Sequence, residues 1–142
     1  MIYIGSNSKV QAWSIPTKKM KYEFAHGSEV GGIVIGREGT PLENRIVSIG
    51  SYDKSCRISN LETGDEVKKI DLERVCRSIA VDNAQTMIVV GNGKKVIFID
   101  TTSFTKVKEV ALNDTVYSLA FNKRNDYMLA VTSHGEVHSF KF

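Results

Sequence analysis

The chain has 142 residues, 42% apolar and 25% charged, the proportions of a globular domain long enough to bury a real core. Its 19 basic and 16 acidic side chains leave a formal charge of +3, too small by itself to argue for nucleic acid or an anionic membrane. No apolar run approaches the roughly 20 residues of a membrane-spanning helix, which argues against a membrane partner. The opening Met1-Ile2-Tyr3-Ile4-Gly5-Ser6 lacks the basic segment and long apolar stretch of a secretory leader, so a cytoplasmic or nuclear location is expected.

Short β-branched runs with period-2 alternation, bounded by Gly, Asn, Asp, Ser and Lys, predict about fourteen strands and no helix. In chain order they read as four units whose strands are lettered a to d from the inside outward. The first unit, approximately 1–25, supplies b (Met1–Gly5), c (Lys9–Ser14) and d (Met20–Phe24). The second, 26–71, is complete: a at Val30–Ile35, b at Arg45–Ile49, c at Ser55–Asn60 and d at Glu66–Ile70. So is the third, 72–111, with a at Val75–Val81, b at Met87–Val90, c at Lys95–Asp100 and d at Lys106–Val110. The last, 112–142, supplies a (Val116–Phe121), b (Tyr127–Val131) and c (Glu136–Phe142).

Two registers tie these units together. The fifth positions of the c strands, Trp13, Ser59, Ile99 and Phe140, are separated by 46, 40 and 41 residues. The a strands align on Val30, Cys76 and Val116, spaced by 46 and 40, each followed three and five places on by apolar residues. A period near 40 with several strands per unit is the pattern of propeller blades. The expectation is an all-β fold: antiparallel four-stranded blades of a partial β-propeller, in one domain. The longer first step, of 46 residues, owes its extra length mainly to the a–b loop 36–44, expected to be a surface insertion. Gly64 in the c–d turn Leu61–Asp65 and the Asn92-Gly93 pair between b and c are placed where a positive φ is needed.

The stretch from Ile46 to Gly64 resembles a WD repeat: an apolar strand, Gly50-Ser51-Tyr52-Asp53, then a strand and the Thr63-Gly64 turn. His26-Gly27-Ser28-Glu29-Val30 is similar to that family's His leading into strand a. The family's Trp-Asp pair corresponds to Trp13-Ser14, Ser59-Asn60, Ile99-Asp100 and Phe140-Lys141, and Leu72 and Leu112 stand where later units would carry the His. The resemblance implies a buried His, Ser/Thr, Asp and Trp network in each blade. No unit retains all four, so those hydrogen bonds are not expected here.

The strand census amounts to about three and a half blades, roughly half of a seven-bladed ring. It fits a portion of a larger propeller, a subunit closing its ring with a copy or a partner, or a free-standing arc. Exposed strand edges and apolar end faces are then expected to seek a partner.

Chemistry of other kinds finds little support. Gly91-Asn92-Gly93-Lys94-Lys95 lacks the full pattern of a phosphate loop and reads as a hairpin. His134 and His138 have no third ligand nearby, so no metal is expected. Cys56 and Cys76 read as reduced core residues. His26 has no nucleophile beside it and reads as structural, and neither an enzyme nor a cofactor is expected. What remains is a binding surface. The d–a and b–c loops should emerge together on one face, carrying Glu29, Tyr52, Arg74, Lys94, Lys95 and His134 as candidate contacts, with His26, Ser28, Lys54, Glu73, Asn92 and Asp114 around them. Tyr52 and Arg74 are the residue types that anchor interfaces, and Lys94 and Lys95 would steer an acidic partner. The reading is a non-enzymatic scaffold for a protein or peptide. The alternatives are a subunit completing a larger ring and a nucleic-acid-binding (RNA) propeller.

Overall fold

Alternation along each strand sets which side chains face the neighbouring sheet, and it divides this chain into four sheets packed in sequence order. The computed structural model describes residues 1–141. The first sheet holds β1 (Ile2–Gly5), β2 (Lys9–Ser14) and β3 (Lys19–Ala25). The second holds β4 (Val30–Ile35), β5 (Arg45–Gly50), β6 (Ser55–Asn60) and β7 (Glu66–Asp71). The third holds β8 (Cys76–Val81), β9 (Met87–Asn92), β10 (Lys95–Asp100) and β11 (Thr105–Ala111). The fourth holds β12 (Val116–Phe121), β13 (Tyr127–Thr132) and β14 (Val137–Lys141). Every pairing is antiparallel between consecutive strands. The fold is all-β, with no helix among the described residues, and its sheets are blade-like. The inner strand of the third begins at Cys76 rather than Val75, and Phe142 of the expected last strand lies outside the described residues.

The core lies between blades. Val47, Ile49, Cys56 and Ile58 of the second sheet meet Ile88, Val90, Ile97 and Ile99 of the third. On the opposite face of the third, Val89, Val96 and Phe98 meet Val116, Met128 and Ala130. The third sheet is therefore covered on both sides, which is why Ile88-Val89-Val90 is an unbroken apolar run. Each fully buried aliphatic side chain there contributes about 1.5–3 kcal/mol. The inner strands β4, β8 and β12 lie side by side and carry the joint from blade to blade. Cys56 and Cys76 are free thiols in this core, pushed up by burial to about 12 and about 11.

The turns repeat as the strands do. The a–b loops close on left-handed Asn44, Gln85 and Asn125, and the c–d turns on Lys18, Gly64 and Phe104. Gly64 has φ 80°, as its turn requires. The a–b insertion is not the open surface loop expected. Its Leu42 is fully buried in the core against the third sheet. Its backbone is tied to Gln85, which accepts from Arg37 N (2.8 Å) and donates to Ile35 O (3.0 Å). An insertion that places one Leu in the core is held by that burial.

At the two ends of the arc the alternation continues with nothing packed over it. Ile2, Ile4, Ile15 and Met20 are exposed on the first sheet, as are Tyr127, Leu129 and Val137 on the fourth.

Candidate functional site

Each inner strand contains one extra residue at its second position. The ladder skips from Val30 to Gly32 in β4, from Cys76 to Ser78 in β8 and from Val116 to Ser118 in β12. The bulged residues are Gly31, Arg77 and Tyr117. A bulge bends its strand and re-aims the side chain it carries. Here it turns Arg77 and Tyr117 onto the rim where the d–a and b–c loops emerge. The guanidinium of Arg77 lies 5.1 Å from the centroid of the Tyr117 ring, a cation–π arrangement that presents the planar fork at the surface. Tyr52, 59% exposed at the b–c turn of the second blade, lines the same cleft as Arg77 and Tyr117. Glu29, Gly31, Ser51, Tyr52, Arg77 and Tyr117 enclose a cleft of about 190 Å³. That is below the roughly 300–1,000 Å³ of a small-molecule pocket and suits a single inserted side chain.

A second, larger cleft follows along the same rim, about 400 Å³, lined by Arg74, Gly93, Lys94, Lys95 and Thr115. The hairpin loop below it is Gly93-Lys94, with positive φ at Gly93 alone. That pattern corrects the expected Asn-Gly turn, since Gly at the first central position is the II′ arrangement. Arg74 packs its Cβ and Cγ over Gly93, where an added Cβ would lie 2.9 and 3.1 Å away. Lys94 donates to Asn113 O at 3.1 Å, and Lys95 is engaged by Glu109 (3.0 Å) and Glu73 (3.3 Å). His134 is exposed on the fourth blade and binds Asp114 through Nδ1, which raises the imidazole pKa; the Asp114 carboxyl is lowered first by Ser133 Oγ, which donates at 2.7 Å, and then by His134.

The rim stands on a buried polar network that the sequence reading excluded. His26 is almost fully buried; its Nε2 is 2.8 Å from Ser48 Oγ and its Nδ1 is 3.1 Å from Asp53 Oδ2. Neutral His26 satisfies both contacts if Nδ1–H donates to Asp53 and Ser48 donates to Nε2. Burial holds the His26 pKa below its ordinary value, against the opposing pull of Asp53. Asp53 also accepts from Gly27 N (2.9 Å), Ser55 Oγ (2.9 Å) and Ser55 N (3.2 Å), and these donors outweigh its burial and lower its pKa. Ser28 Oγ accepts from Tyr52 N (2.9 Å) and Asp53 N (2.8 Å). Three of the four residue types of the resemblance are thus bonded in this blade. The fourth position holds Ser59, whose buried hydroxyl has no partner among the described residues. The network fixes the turn that presents Tyr52.

The candidates therefore fall into three groups. Glu29 and Tyr52 line the first cleft, Arg74, Lys94 and Lys95 line the second, and His134 lines neither. Asn92, expected among the exposed loop residues, is buried and donates to Arg74 O. His26 is likewise interior rather than available to a partner. Arg77 and Tyr117 were not singled out from the sequence. Among the described residues no group of three His, Cys, Asp or Glu side chains could hold a metal.

No protein-family model matches this chain, and no curated protein matches it. Its fold is similar to that of the computationally designed Ika8 protein in a crystal structure, with a TM-score of 0.82 at 16% sequence identity. The likeness covers 99% of this chain and 42% of the designed one, so the chain spans less than half the length of that neighbour. What the likeness establishes is the all-β fold of antiparallel, blade-like sheets.

Proposed function

We propose that this chain is a WD-repeat-like propeller portion that works as a non-enzymatic protein-interaction module. It holds a protein or peptide partner on the rim formed by Tyr52, Arg77 and Tyr117. The observation that carries the reading is the repeated bulge, which aims Arg77 and Tyr117 beside Tyr52 on one face. Tyr and Arg are enriched among residues that dominate binding energy. The His26, Ser48 and Asp53 network supports both the rigidity of the rim and the family resemblance. The test is quantitative affinity capture with the wild-type chain, a Tyr52→Ala/Arg77→Ala/Tyr117→Ala variant and a control altered at Lys123 and Arg124 on the a–b loop of the fourth blade. Partners lost with the rim variant and kept with the control support the reading. Partners indifferent to the rim refute it.

A second reading, a structural subunit completing a larger ring, is favoured by the exposed apolar end faces. It predicts that Ile4→Lys or Leu129→Lys abolishes a dimer or larger assembly seen by light scattering, whereas the rim variant leaves that assembly intact.

A further inference from the structure

We propose that the rim's occupant is an acidic peptide segment, whose carboxylates engage Arg77, Arg74 and Lys94 while a neighbouring side chain enters the cleft between Tyr52 and Tyr117. The inference rests on the rim being the binding face. Its own support is how the charges there are already committed. Glu73 and Glu109 are taken by Lys95, and Asp114 by His134. Among the described residues Arg74, Arg77 and Lys94 form no ion pair, and all three are exposed. Arg77 lies over the Tyr117 ring with the guanidinium fork left to solvent, a pre-organised arrangement for bidentate capture of a carboxylate. Arg74 has its stem packed on the Gly93 turn, so its charge is held near the second cleft rather than free to wander.

The remaining carboxylate, Glu29, borders the first cleft and forms no ion pair among the described residues. It gives the rim a polarity: the acidic residues of the peptide lie toward Arg77, Arg74 and Lys94, and a neutral or basic residue lies beside Glu29. The same features disfavour nucleic acid. One face of the Tyr117 ring is occupied by Arg77 and is closed to base stacking.

The experiment pans a random twelve-residue peptide library against the full 142-residue chain. The enriched peptides are then synthesised with their Glu/Asp to Gln/Asn counterparts, and binding is measured by fluorescence anisotropy at low and moderate salt. The expected result is enrichment of acidic peptides whose affinity falls with salt, and falls at least about tenfold with Arg77→Glu, Arg74→Glu or the amide counterpart. Arg77→Lys should weaken binding by less, because the charge remains and the fork is lost. Thermal melting checks that each variant folds, and Arg77→Gln replaces any that does not. Enriched peptides without acidic residues, lost with Tyr52→Ala, would overturn the acidic class and leave the rim as the site. Peptides indifferent to every rim substitution, or no enrichment at all, would overturn both. A single-stranded RNA oligonucleotide that displaces the peptides and binds more tightly at the same salt would also overturn the inference.

Discussion

Replacing Asp53 by Asn keeps its shape and should still cost about 2–4 kcal/mol. Both carboxylate oxygens act only as acceptors, each for two donors. Oδ2 takes Gly27 N and His26 Nδ1, and Oδ1 takes Ser55 N and Ser55 Oγ. The imidazole can change tautomer and the hydroxyl can rotate, but the two backbone N–H groups cannot adapt. Whichever way the amide of Asn is turned, its NH₂ faces one of them. Orphaning that donor costs about 1–3 kcal/mol, and losing the charge weakens the bonds that remain. Arg57, with Nη2 3.8 Å from Oδ2, loses a counter-charge as well. Asp53→Ala removes all four bonds and should cost about 3–5 kcal/mol. A total stability of about 5–15 kcal/mol would survive the first change and sometimes not the second. Urea unfolding followed by the fluorescence of Trp13, the sole tryptophan, measures this directly. With a slope of about 2 kcal/mol per molar, the Asn variant's midpoint should fall by roughly 1–2 M. An Asn variant within about 0.5 kcal/mol of wild type would refute the account of Asp53 as an acceptor-only group facing fixed backbone donors.

The same network makes stability depend on pH with a definite sign. Folded His26 resists protonation, so below its ordinary value near 6.5 the unfolded chain binds more protons and stability falls as pH falls. Asp53, lowered when folded, extends the loss into the acid range near its own ordinary value. His134 has the opposite sign, but it is exposed and screened; melting temperatures between pH 7.5 and 4.5 should decline, and less steeply down to about pH 5.5 for His26→Asn. Gly36→Ala should cost several kcal/mol, because an added Cβ would overlap the Leu42 carbonyl and displace the loop that buries Leu42; a near-wild-type melt would show that the loop relaxes freely. Ser59→Ala should stabilise by about 1 kcal/mol, since the buried hydroxyl it removes has no partner among the described residues; a lower urea midpoint would reveal a partner such as an ordered water.

The two sequence registers carried the strands and their grouping into blades because period-2 burial and turn chemistry are local properties. The same registers also hold the signal for the rim. Strict alternation puts apolar residues an even number of places apart, yet Val30 to Ile33, Cys76 to Ile79 and Val116 to Leu119 are each three apart. An odd step in a strand is the mark of an extra residue, and it names Arg77 and Tyr117. The network around His26 was invisible for a different reason. Judging it by whether all four family residues were present missed that Asp53 and Ser48 satisfy the imidazole without a Trp. Leu42 lay in a loop by composition, and only the packing of the third sheet shows why a Leu belongs there.

The bulges also separate what this fold can vary from what it must keep. A residue outside the ladder adds nothing to pairing and little to the core, so its replacement rewrites the rim while leaving the blades alone. Arg77 and Tyr117 are both free in this sense. Gly31 is not: a Cβ there would press on Ser51 Oγ at 2.8 Å and Cys76 O at 2.9 Å. Natural variation in recognition should therefore accumulate at the bulges of the third and fourth blades, while the bulge of the second stays glycine.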